Sequence, residues 1–139
     1  MSIVQTLTTS FKNDLLIAGQ NLSTDTLKIA LYTADANLNA DTTVYSATNE
    51  LATTGGYTAL GKTLTGVTIQ TSGSVVYINF SNVVWSPAAF TTRAALIYNA
   101  SKSNKSVAVL DFGNDKTCTS TFTVVMPANT VTSALLRFA

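Results

Sequence analysis

Acidic side chains are the main groups in this sequence from which acid–base or metal chemistry could be assembled. Two sets stand out: Asp111 with Asp115, and Asp35 and Asp41 with Glu50. A pair of carboxylates at the right separation can protonate and attack a glycosidic bond. Both sets, however, sit among Asn-rich stretches expected to be loops or strand ends, where turns and caps are the ordinary use of such residues. Asp35, Asn37, Asn39 and Asp41 alternate as oxygen donors and could in principle wrap a hard cation. That stretch lacks the central glycine and the closing bidentate glutamate of a calcium loop. The sequence has no histidine and a single cysteine, Cys118. A serine–histidine triad, a zinc centre and an intramolecular disulfide are therefore ruled out. Gly55-Gly56 is not followed by the Lys-Ser/Thr of a phosphate loop. The expectation is a chain that is not an enzyme, with no catalytic residues, no cofactor and no metal.

Composition points to association instead. Hydrophobic residues make up 46% of the 139 residues and charged residues 11%, against about 25% charged in an average globular domain. Roughly one residue in six is threonine, which the β-propensity scale favours. A formal net charge of +1 creates no field to draw nucleic acid or an anionic membrane, so neither is expected as a partner. Met1–Leu7 carries no basic segment ahead of an apolar one, so no secretory signal is read there. No apolar run approaches the roughly 20 residues of a membrane span.

The elements that must position these groups read as one helix followed by many strands, in one domain over 1–139. Ser10 is the expected N-cap of a short helix within 10–19, with Asp14 near its positive end and Gly19 as its stop. The helix is too short to stand alone and is expected to lie on a β core. From Asp25 the period becomes two: Leu27, Ile29 and Leu31 alternate with Lys28, Ala30 and Tyr32 as a half-buried strand. Residues 35–55 form a long loop, the kind of segment that in compact domains commonly carries function. Further strands are expected in 57–70, broken at Gly61 or Gly66, and then across a hairpin turn at Ser72-Gly73. Val76, Ile78 and Phe80 share one face of the next strand, and Val83–Trp85 is a short one. Arg93–Tyr98 and Val107–Phe112 are nearly continuous apolar runs joined by the polar 99–105, so they predict an antiparallel pair covered on both faces. Thr121–Met126 and Val131–Phe138 complete a set of about eight. This rhythm predicts a mainly β fold, an antiparallel β-sandwich with jelly-roll order, plus one short N-terminal helix.

Several stretches occur together in a familiar order. They are 7–16 (LTTSFKNDLL), 25–33 (DTLKIALYT), 45–50 (YSATNE), 56–58 (GYT), 95–99 (ALIYN) and 105–113 (KSVAVLDFG). This order, over nearly the whole chain, resembles a family of small virion structural proteins of tailed bacteriophages. The motifs are strand and turn residues, not catalytic ones. The resemblance implies a component of the phage particle, synthesised in the host cytoplasm and placed on the capsid surface of the virion. Small β-sandwich proteins of that kind commonly serve as capsid decoration or cement proteins bound to the outer face of the major capsid protein lattice. A tail, neck or fibre-associated protein and a carbohydrate-binding module are the alternatives. Homo-oligomers, dimers or trimers, are expected at local capsid axes. Residues 1–9 are expected to form an extended arm that orders on binding. The expected protein-interface residues are Ile3, Val4 and Leu7 in that arm, Tyr45 in the long loop, and Trp85, since exposed aromatics anchor interfaces.

Overall fold

A computed structural model of the chain describes residues 2–138. Ten strands and one helix follow each other in the order β1 (Thr6–Leu7), α1 (Thr9–Leu16), β2 (Leu27–Tyr32), β3 (Lys62–Thr63), β4 (Thr68–Ser72), β5 (Val75–Asn79), β6 (Val83–Trp85), β7 (Phe90–Asn99), β8 (Lys105–Cys118), β9 (Phe122–Val124) and β10 (Leu136–Phe138). Every ladder is antiparallel. The sheets divide into β1-β8-β7-β2-β3, β10-β5-β4 and β6-β9. The mainly β, sandwich-like fold is as the rhythm predicts. The sheets do not divide into the two four-stranded sheets of a jelly roll.

The main core lies where the five-stranded sheet faces the two smaller ones. Leu27, Ile29, Leu31, Ala95, Ile97 and Val107 come from the large sheet, and Ile78, Leu136, Val83, Trp85 and Val124 from the small ones. A second apolar cluster covers the opposite face of the large sheet: Ala30, Tyr32, Ala94, Leu96, Tyr98 and Val109 with Ala36, Leu38, Ile3 and Tyr45. The cover on that side is the irregular segment after β2 together with the N-terminal stretch. This arrangement corrects the expectation for β2, whose Ala30 and Tyr32 face is as deeply buried as its Leu27–Ile29–Leu31 face. The β7–β8 pair is covered on both faces, as the continuous apolar runs require.

α1 begins two residues earlier than the expected Ser10 cap. Thr8 is extended, and its Oγ1 accepts from Phe11 N at 3.3 Å, the N-cap geometry. The same hydroxyl lies 2.8 Å from Ser106 Oγ, so the cap is also a tertiary contact. Asp14 therefore lies beyond the first turn, not at the positive end of the helix. It is buried, with Gln20 Nε2 at 3.1 Å and Lys105 Nζ at 3.7 Å. The helix ends through a 6→1 bond from Gly19 N to Asp14 O (2.7 Å), with Ala18 in the left-handed region at φ 57°. The stop thus comes one residue before the glycine.

The expected N-terminal arm is not free over the described residues. Val4 N donates to Leu38 O and Leu38 N to Ser2 O, each at 2.9 Å. β1 then pairs with Ala108 and Val109 of β8. An unpaired sheet edge is a cost that a segment of the same chain can remove, and residues 5–8 do that for β8. Met1 lies outside the described residues.

Candidate functional site

The long loop is longer than expected, running from the end of β2 to β3, and it is tied down by phenol groups. Glu50 is the centre of the clasp. Its carboxylate accepts from the hydroxyls of Tyr45 and Tyr57 (the latter at 2.6 Å) and from Leu60 N at 2.8 Å. The Tyr57 oxygen also accepts from Leu31 N at 3.0 Å, which satisfies a strand donor that β3 is too short to reach. Tyr32 donates to Ser46 O at 2.7 Å and Tyr98 to Leu60 O at 2.6 Å. Burial first, and then Glu50, push all four phenols above the ordinary tyrosine value, with Tyr98 at about 12 and the other three higher. A neutral phenol is the form that can donate to the carboxylate, so the upward shifts of Tyr45 and Tyr57 agree with their hydrogen bonds to Glu50.

Glu50 is engaged by three donors and anchors the loop. Asn39 Nδ2 donates to Asn37 Oδ1 at 3.2 Å, and Asp41 N donates to Asn39 Oδ1 at 2.9 Å, so the two asparagines of 35–41 spend their side-chain oxygens on local loop bonds. No cluster of three or more His, Cys, Asp or Glu is placed to hold a metal ion among the described residues. The loop does frame an open hollow of about 510 Å³, lined by polar and apolar groups in equal measure, beside Asn37, Asp41, Thr43 and Val44. Asp111 and Asp115 both face Arg93, each at 3.7 Å. There the β7–β8 register shifts between Thr92 and Ala94, and Arg93 sits opposite the extra residues of β8. An arginine between two carboxylates balances charge at an irregular ladder, an ordinary structural use.

Of the expected interface residues, the structure brings Ile3 and Tyr45 together against the second cluster. Tyr45 is only half-exposed, because its ring packs on Tyr98 with centroids 5.0 Å apart. Leu7 is half-buried against the main core, and Val4 is 48% exposed. Trp85 must be corrected. It is 1% exposed and packs among Tyr57, Phe90 and Phe122, with ring centroids 6.1 to 6.5 Å away. A strand of three residues alternating in, out, in sends Trp85 to the core and Val84 to the surface. The apolar run Val83–Trp85 carried no signal as to which face would be buried.

The surface that residue types alone did not mark is defined by what it lacks. On the strands of the two smaller sheets, Arg137 is the only charged residue among the described residues. The sequence is free of charge from Thr63 to Thr92 and again from Thr117 to Leu136. Those strands leave Ile69, Val76 and Val84 exposed, with Val67 and Val125 beside them. Leu16 and Ile17, at 87% and 66% exposure, end the helix near the same side. Leu15 and Ala18, on either side of them, line an apolar groove of about 520 Å³ with Ile69, Val76, Ile78 and Phe138. The signal was present in the sequence as two uncharged runs, but only the topology puts them on one layer.

Fold and surface together define a class: a sandwich-like antiparallel β domain with nearly all of its charge on one layer and a nearly uncharged, partly apolar other layer. No family model matches the chain, and no curated protein and no solved structure matches it either.

Proposed function

We propose that this chain is a structural protein of a tailed-bacteriophage particle, a capsid cement protein that binds the outer face of the major capsid protein lattice and stabilises the head. The observation that carries the reading is the segregation of charge, which leaves the β4–β5–β10 and β6–β9 layer with Arg137 as the one charge on its strands among the described residues, and with several aliphatic side chains in solvent. Charged residues are depleted at the centres of protein interfaces, and such a layer is suited to lie against another protein. The clasped loop and the zipped N-terminus give a stiff body, so little ordering entropy is lost on attachment. Attachment to a repeating lattice allows weak individual contacts to sum. The resemblance in 7–16, 25–33, 45–50 and 105–113 supplies the phage context.

The carbohydrate-binding alternative loses its principal ring, since Trp85 is in the core. The test is copy number in purified virions whose genome encodes this chain, by quantitative mass spectrometry. A cement protein is present in numbers comparable to the major capsid subunits. A handful per particle, matching a tail or neck ring, would overturn the head assignment.

A further inference from the structure

We infer that the outer edge of β4 is a self-association surface, on which a second copy of this chain pairs antiparallel about Gln70. This surface follows from the backbone groups of β4 and does not depend on a phage role. β4 is the last strand of its sheet, and its only ladder is to β5. The β4–β5 hairpin turns over Gly73 and Ser74, and Ser72 pairs with Val75 across it. In a two-residue hairpin that flanking pair is hydrogen bonded, and alternation then assigns Gln70 and Thr68 to β5 as well. The N–H and C=O of Ile69 and Thr71 consequently point away from β5. Among the described residues no backbone bond outside the ladders reaches either of them.

Every other outer strand of the molecule is protected in a way that β4 is not. β1 and β3 are two residues long, β3 carries Lys62, β10 carries Arg137, and β6, β9 and β10 have three residues each. Short length and edge cations are the usual defences against strand pairing. β4 has five consecutive exposed residues, Thr-Ile-Gln-Thr-Ser, with no charge, no proline and no register shift. An edge with those features is a template for another strand.

The occupant is a second copy because a two-fold interface brings each group near its own equivalent. A charged patch repels itself there, whereas the β4 edge opposes only uncharged side chains. Pairing about Gln70 sets Ile69 opposite Thr71 of the other copy, and Thr71 opposite its Ile69. About four ladder bonds result, all from the backbone groups left outward. Gln70 meets Gln70 on the solvent face. Ile69 lies on the same face as its ladder partner Ile78 and borders the groove with Val76 and Phe138. A stable dimer needs about 800 Å² from each partner, more than one short strand offers. The groove and the Leu16–Ile17 tip, continuous with this edge, are the apolar area that completes it.

The test is a charge swap at Gln70, whose side chain is exposed on the outer face and can change without disturbing the core. Wild-type protein is expected to show a concentration-dependent dimer in sedimentation equilibrium. Gln70→Lys and Gln70→Glu, each alone, should weaken it about fivefold, the upper range for like charges directly opposed across strands. Mixing the two variants should restore a heterodimer at least as tight as wild type. Amide exchange at Ile69 and Thr71 should slow with concentration in wild type and not in either variant. A wild-type chain that stays monomeric would overturn the inference. So would a dimer indifferent to both substitutions, which would place the contact on another surface.

Discussion

At the scale of single residues, the hydroxyl of Tyr57 does more than its ring. It donates to Glu50 and accepts from the backbone of Leu31, in a site with 1% exposure. Tyr57→Phe leaves a buried strand N–H without a partner and removes one donor from the carboxylate. The expected loss is about 2 kcal/mol, read from the urea midpoint with an unchanged slope. Tyr45→Phe, at a half-exposed position, should lose clearly less. The same hydroxyls set a pH dependence. Folding raises the values of Tyr32, Tyr45, Tyr57 and Tyr98 above the ordinary 10.0, through burial and then Glu50. The native state then holds more protons than the unfolded chain above that pH, so stability falls as pH rises. The contribution is complete below pH 10 and is lost upward from there, with Tyr98 first at about 12. Tyrosinate absorbance should therefore rise together with loss of far-ultraviolet circular dichroism. Ionisation of these four near pH 10 with the fold intact would contradict the clasp. Asp25 works in the opposite direction. Against the desolvation that would raise it, the Asn21 N–H, Asn99 Nδ2 and Lys102 hold its carboxyl below the ordinary value. Its contribution is present above the unfolded value and disappears as pH falls through the folded one.

At the scale of elements, two glycines with similar backbone angles separate turn chemistry from close packing. Gly73, at φ +59°, has nothing near the position of a Cβ, whereas at Gly61 (φ +74°) a Cβ would lie 1.8 Å from Ile29 O. Gly73→Ala should cost only the left-handed backbone term, about 1 kcal/mol. Gly61→Ala must also push the end of the long loop away from β2, and should cost about 3 kcal/mol or more. Thermal melts of the two variants check the difference. Much of this element structure was legible beforehand. The β7–β8 pair was readable because apolar runs on both sides of a polar 99–105 leave little choice, and the β4–β5 turn because Gly73 marks it. The helix start was misplaced because Thr8, Thr9 and Ser10 are all competent caps, and a tertiary contact to Ser106 decided among them. Gln20, Asn99 and Ser106 gave no periodic signal. Yet Gln20 bonds to Asp14, Asn99 and the Ser106 carbonyl in the buried network that locks the helix to the β7–β8 hairpin.

At the scale of the whole molecule, the main division is between a charged layer and an uncharged one. The large sheet with its helix and clasped loop carries nearly all of the charge, and the centre of that sheet is covered on both faces by its own chain. The two smaller sheets carry almost none and offer strand edge and aliphatic surface. Composition foretold the scarcity of charge but not its distribution, because that depends on which strands share a sheet. The same gap explains Trp85, assigned to the surface by residue type and to the core by strand alternation. In the proposed reading it is this weakly charged layer as a whole, and no single side chain, that would meet the capsid. The most direct measurement is rebinding. Virion shells stripped of this chain by mild denaturant are mixed with purified protein, and bound copies and heat-induced genome release are recorded together. Saturable binding that follows shell stoichiometry and raises the release temperature is expected. Shells that neither take up the protein nor gain heat resistance would contradict the proposed reading.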